Sequence, residues 1–85
     1  MADIALRVYL EEIDGMIDGN RVDEAIAHLK HILGIYPKNL EAYRLLAKAL
    51  LEKNRHLDAA DVFQRVLSSV PDDFISHIGM AVVRE

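Results

Sequence analysis

The amino-acid sequence predicts an all-α chain in which antiparallel helix pairs stack as about two and a half repeats. Three observations carry that expectation. Apolar residues recur at three- and four-residue steps along most of the chain, which is the spacing of amphipathic helices. Strong helix formers are plentiful, no stretch alternates as a strand would, and glycine and proline are few. The only two prolines, Pro37 and Pro71, stand thirty-four residues apart, each after a helical pattern. Sliding the chain by that interval places Tyr9 on Tyr43, Asn20 on Asn54, Arg21 on Arg55, Ala25 on Ala59, Leu33 on Leu67 and Ala47 on Ala81. Apolar pairs such as Met16/Leu50, Leu29/Phe63 and Ile32/Val66 fill the same template. A fixed period of this length marks a stacked repeat architecture.

Each element can be justified in order. Ile4, Leu6, Tyr9, Leu10, Ile13, Met16 and Ile17 form the apolar stripe of a first helix over about 3–17, ended by Asp18, Gly19 and Asn20. Val22, Ala25, Ile26, Leu29, Ile32 and Leu33 define a second over about 22–35. It must stop near Tyr36, because a residue before proline is pushed out of helical dihedrals. Asn39 is a good cap for a third helix, from Leu40 to about Lys53. A fourth runs from about Leu57 to Ser69, and Asp73 caps a fifth that the chain end cuts short. The repeats span about 3–37, 38–71 and 72–85 of one domain covering 1–85.

Composition narrows the function. A net charge of −4 argues against bulk binding of nucleic acid or anionic membrane. There is no cysteine for disulfides or thiolate metal sites, which fits a reducing compartment. The N-terminal residues carry acids every few positions, unlike a signal peptide, and no apolar run approaches the roughly 20 residues that span a bilayer. The expectation is a cytoplasmic domain. Chemistry-bearing side chains are sparse. His28 and His31 lie three apart without the carboxylate and histidine spacing of a metal site, so both read as surface residues. His56 falls in a turn, and His77 takes an aromatic core position of the repeat. Ser68, Ser69 and Ser76 have no nucleophile-elbow context, and Asp72 and Asp73 read as a turn and a helix cap. Gly15, Gly19, Gly34 and Gly79 make no phosphate loop. No enzyme activity, cofactor or metal is expected.

Two of the alanines have a packing role. Ala25 and Ala59 sit where the helices of a pair cross closely, which only a small side chain permits. Ala47 faces Ala59's helix in the second pair. Ile13 replaces it in the first, which should open that pair slightly.

Tyr43, Leu46, Ala47, Leu50, Ala59, Phe63 and Pro71 resemble the tetratricopeptide repeat (TPR) pattern, W-x₂-L-G-x₂-Y, A-x₃-F, P. The first repeat follows it less closely: Glu12 and Ile13 stand where leucine and a small residue belong. The third offers His77, Met80 and Ala81. The resemblance implies a right-handed superhelical stack whose first helices line a concave groove for partner segments. Carried over by position, the groove strip is Arg7, Leu10, Glu11, Asp14, Ile17 and Asp18 on the first helix. On the third it is Glu41, Arg44, Leu45, Lys48, Leu51 and Glu52, and on the fifth Ile75, Ile78, Gly79, Val82 and Glu85. The strip would run from acidic, through basic and mixed, to apolar. The Lys/Asn/Arg clamp by which some TPR domains hold a C-terminal carboxylate is largely missing: Leu10 and Asp14, Arg44 and Leu45, and Ile75 and Gly79 occupy those positions.

The resemblance therefore implies a protein–protein interaction module with a protein or peptide partner. A second expectation concerns the fifth helix, whose exposed side should carry Phe74, Ile75, Ile78, Val82 and Val83. No second helix follows to cover it, and solenoid ends need polar caps. That favours self-association as a homodimer, or docking onto further repeats of a longer scaffold.

Overall fold

The computed structural model describes residues 2–84, and side chains for residues 5–83. Ile4 and Glu85, both placed on helix stripes above, lie outside the described side chains. Five helices and no strand occur among the described residues: α1 (Ala2–Asp18), α2 (Val22–Ile35), α3 (Leu40–Glu52), α4 (His56–Ser69) and α5 (Phe74–Arg84). Their ends fall within one residue of the expected ones; His56, read as a turn residue, begins α4.

The thirty-four-residue period extends to individual backbone hydrogen bonds. α1 and α3 end alike, with Asn20 and Asn54 in the left-handed region at φ 67° and 59°. The next N–H reaches back five residues, from Arg21 to the Met16 carbonyl at 2.8 Å and from Arg55 to the Leu50 carbonyl at 2.9 Å. Asn20 and Asn54 N–H bond Ile17 and Leu51 in the same way. This is a Schellman exit with asparagine at the position glycine usually holds. The same arginines are the N-caps of α2 and α4. A cation is the wrong sign for a helix start. Glu24 and Asp58, each three residues on, accept from Arg21 and Arg55 and correct it.

The four-residue turns also match. Asn39 Oδ1 accepts from Ala42 N–H at 2.8 Å, and Asp73 Oδ2 accepts from Ser76 N–H at 2.9 Å, capping α3 and α5. The Tyr43 hydroxyl donates to the Pro37 carbonyl, and His77 Nε2 bonds the Pro71 carbonyl. His77 thus copies the polar end of Tyr43. It does not copy its packing, for Tyr43 lies against the core while His77 is exposed.

α3 packs against α1, α2 and α4, and α5 packs against α4. Ala42, Ala47 and Ala49 of α3, Ala25 of α2 and Ala59 of α4 are fully buried, as close crossings require. Ile13 is also fully buried, so the first pair accommodates the larger residue. Leu29, Ile32 and Val66 complete the innermost layer. At the α4–α5 contact Gly79 is buried, and a Cβ there would overlap the Phe63 ring. Gly79 is therefore a packing residue, not part of an open groove.

Two substitutions test these contacts by thermal melting. Ala59→Leu should lose about 1–3 kcal/mol by overpacking the α3–α4 crossing; an unchanged melt would put the crossing elsewhere. Gly79→Ala separates two opposed effects. Helix propensity alone predicts a gain of up to about 1 kcal/mol, whereas the Phe63 ring predicts a net loss. A rise in Tm would contradict the packing.

Candidate functional site

α1, α3 and α5 contribute the strip of residues carried over from the repeat pattern, and it is far from uniformly exposed. Leu10 and Ile17 are buried, as is Leu45, while Leu51 packs against the core from its edge. They form the floor. Arg7, Glu11, Asp18, Glu41, Glu52, Ile75, Ile78 and Val82 are exposed, and Asp14, Arg44 and Lys48 are half-buried.

The two central cations are held by carboxylates of the same chain. Lys48 Nζ bridges two residues of α1, Asp14 at 2.6 Å and Asp18 at 3.1 Å. The Asp14 hydrogen bond is the largest of the effects that raise its pKa. Both partners are more than a third exposed, so solvent screens the gain. Arg44 Nη2 donates to Asp73 Oδ1. Here burial is deep: the Asp73 side chain is 5% exposed and that of Arg44 24%. The Arg44 guanidinium, and after it Ser76, hold the Asp73 carboxyl down at about 2, against an ordinary 3.8. Asp73 therefore both caps α5 and ties it to α3. The strip expected to be basic in its middle is neutralised there, a pairing between helices that periodicity alone does not reveal.

At the α1–α3 joint lies a depression of about 480 Å³, lined by Arg7, Leu10, Glu11, Asp14, Asn39, Glu41 and Leu45. Its seven residues correspond, thirty-four positions on, to Glu41, Arg44, Leu45, Lys48, Asp73, Ile75 and Gly79 at the α3–α5 joint. The two joints are versions of one notch. In the second, Arg44 reaches across to the cap of the next helix. In the first, Leu10 lies buried at that position, the cap is Asn39, and the notch is open.

On α5, Phe74, Ile75, Ile78 and Val82 are 75%, 54%, 49% and 49% exposed. Val83, expected beside them, is instead partly buried against the core. Helical spacing explains the difference: Val83 follows Ser76 and Gly79 around α5, on the side that packs inward. His28 is likewise not a free surface residue; it is half-buried, with Nδ1 bonded to the Tyr9 hydroxyl and its ring edge-on to that tyrosine. Among the described residues no group of three or more His, Cys, Asp or Glu is placed to hold a metal ion. No helix among them is long and apolar enough to cross a membrane.

A family model described as tetratricopeptide repeat matches residues 16–80. No curated protein and no solved structure matches the chain.

The Arg44–Asp73 pair has a defined pH signature. Because the folded carboxyl is held below its ordinary value, its contribution is present above about pH 4 and is lost as pH falls toward 2. The shift corresponds to about 2 kcal/mol. Because Ser76 supplies part of the shift, urea titrations should show Arg44→Ala less stable than wild type at pH 7 with a gap that narrows toward pH 2. Lys48→Ala should cost less than about 1 kcal/mol. An Arg44→Ala gap that persists undiminished at pH 2 would contradict the pairing.

Proposed function

The chain belongs to the tetratricopeptide repeat family, whose members are typically non-catalytic and mediate protein–protein interaction, and from that premise we propose that it binds a segment of a partner protein along the concave strip formed by α1, α3 and α5. One observation carries the reading. Ile75, Ile78 and Val82 hold the repeat positions of Glu41, Arg44 and Lys48, and of Arg7, Leu10 and Asp14 one repeat earlier. The exposed apolar side chains of α5 thus continue the same strip as the open notch. Contiguous exposed apolar patches usually mark interfaces, and this one holds repeat positions equivalent to those lining the α1–α3 notch.

The carboxylate-clamp mode has no support. Arg44 is engaged by Asp73 and Lys48 by Asp14 and Asp18, so neither is a standing cation for a partner's C-terminus.

A second reading is favoured by Phe74, three-quarters exposed at the start of α5. Together with Ile75, Ile78 and Val82 it supports association of α5 with a second copy of the chain, or with further repeats of a longer one. Covering a large aliphatic side chain is worth about 1.5–3 kcal/mol.

The two readings separate experimentally. Sedimentation equilibrium at micromolar concentration should give a monomer for wild type. Peptides selected from a random display library should lose binding to Ile78→Glu and Val82→Glu. A dimer dissolved by those substitutions would replace the groove reading with self-association. Binders indifferent to every substitution on the strip would remove the groove.

A further inference from the structure

The α1–α3 notch differs from its copy at the α3–α5 joint at every lining position, and one difference, the absence of a bridging guanidinium, leaves it open. In the closed joint a guanidinium from α3 lies across the gap and bonds the cap residue of α5. The equivalent residue in the open joint is Leu10, which is buried and has no polar end to reach across. The resulting depression of about 480 Å³ is large enough for a long side chain.

Its walls specify which one. Glu11, Asp14 and Glu41 line it against a single cation, Arg7. Asp14 is engaged by Lys48 at 2.6 Å, and Glu41 meets Arg44 only at 3.6 Å with its side chain 58% exposed. For Glu11 no ion pair occurs among the described residues. The notch therefore has an excess of acceptors above an apolar floor of Leu10 and Leu45. Such a site suits a guanidinium, whose donors fan out in a plane while its stem lies on apolar surface.

We propose that the α1–α3 notch takes an arginine side chain from the partner segment, met by Glu11 and Glu41 where Arg44 at the next joint is met by the cap residue Asp73. The partner is then a protein segment with arginine at one end and aliphatic residues at the other, seated on Ile75, Ile78 and Val82. This rests on the reading of the strip as a partner groove and adds its polarity. It also makes the recognition opposite in sign to capture of an acidic tail.

Short fluorescein-labelled peptides, each with one arginine at varied spacing from a Leu-Ile pair, test the inference by fluorescence anisotropy. Counterparts carry citrulline or glutamate in place of the arginine. The best arginine peptide should lose about five- to tenfold in affinity on replacement by citrulline, and more with glutamate. Glu11→Gln combined with Glu41→Gln should produce a similar loss and make the citrulline peptide bind as well as the arginine one. Both glutamates are exposed, so the variant's melting temperature should stay at the wild-type value. Raising the salt should weaken only the arginine peptide on the wild-type chain. Binding that is abolished by Ile78→Glu but indifferent to citrulline and to the glutamine pair would overturn the arginine site while leaving the groove. Binding by no peptide, or binding indifferent to all these changes, would overturn both.

Discussion

The close approach of α3 to three neighbours is the constraint on which the rest of the structure depends. A helix of thirteen residues touches α1, α2 and α4, and six of its residues are buried. That is possible because Ala42, Ala47 and Ala49 let other helices come near its backbone, with Ala25 and Ala59 doing the same from the other side. Alanine has little side-chain entropy to lose and the best helix propensity, so the close crossing does not weaken the helix itself. Larger residues at Ala59 or Ala47 would overpack the crossing with α4 and weaken the stack.

Once α3 is held on three sides, its remaining face is set, and Arg44 and Lys48 emerge there. Their ion pairs run to different neighbours, Lys48 to α1 and Arg44 to the cap of α5. The first is a screened surface contact. The second is a buried one in which Asp73 bonds both the guanidinium and the Ser76 N–H. Removing either partner there would leave a charge out of water, which is far costlier than breaking an exposed pair. The same face thus has a closed joint, an open joint and an apolar extension, each made by a change of residue at an equivalent position of one repeat.

Most of the fold was legible in the sequence because its signals are local and occur twice. Pro37 and Pro71 mark two helix ends, Asn39 and Asp73 cap the helices that follow, and Asn20 and Asn54 adopt the left-handed exit that Gly-Asn and Lys-Asn turns favour. The site was legible only in outline. Spacing placed Arg44 and Lys48 on one strip of α3, but their partners lie on other helices, and no periodicity reports which carboxylate a long side chain will reach. Gly79 read as an open groove position because the Phe63 ring that fills the space belongs to α4. Leu10 and Leu45 fall by spacing on the exposed strip but are buried, since α1 and α3 lie side by side. Val83 reads as outer face from the sequence because the inward side of α5 is marked by Ser76 and Gly79, whose burial no local signal reveals. His77 fell on an aromatic position and kept only the hydrogen bond of that position, with no helix packed over it among the described residues.

Native-state amide hydrogen exchange tests the keystone role of α3 most directly, because it reads local opening free energies residue by residue. The amides of Leu45 to Leu50 should exchange slowest in the chain, at the rate of global unfolding, with protection declining through α2 and α4 to α1 and α5. Protection in α1 or α5 equal to or exceeding that of α3 would contradict it, and would place the organising contact outside the alanine crossings.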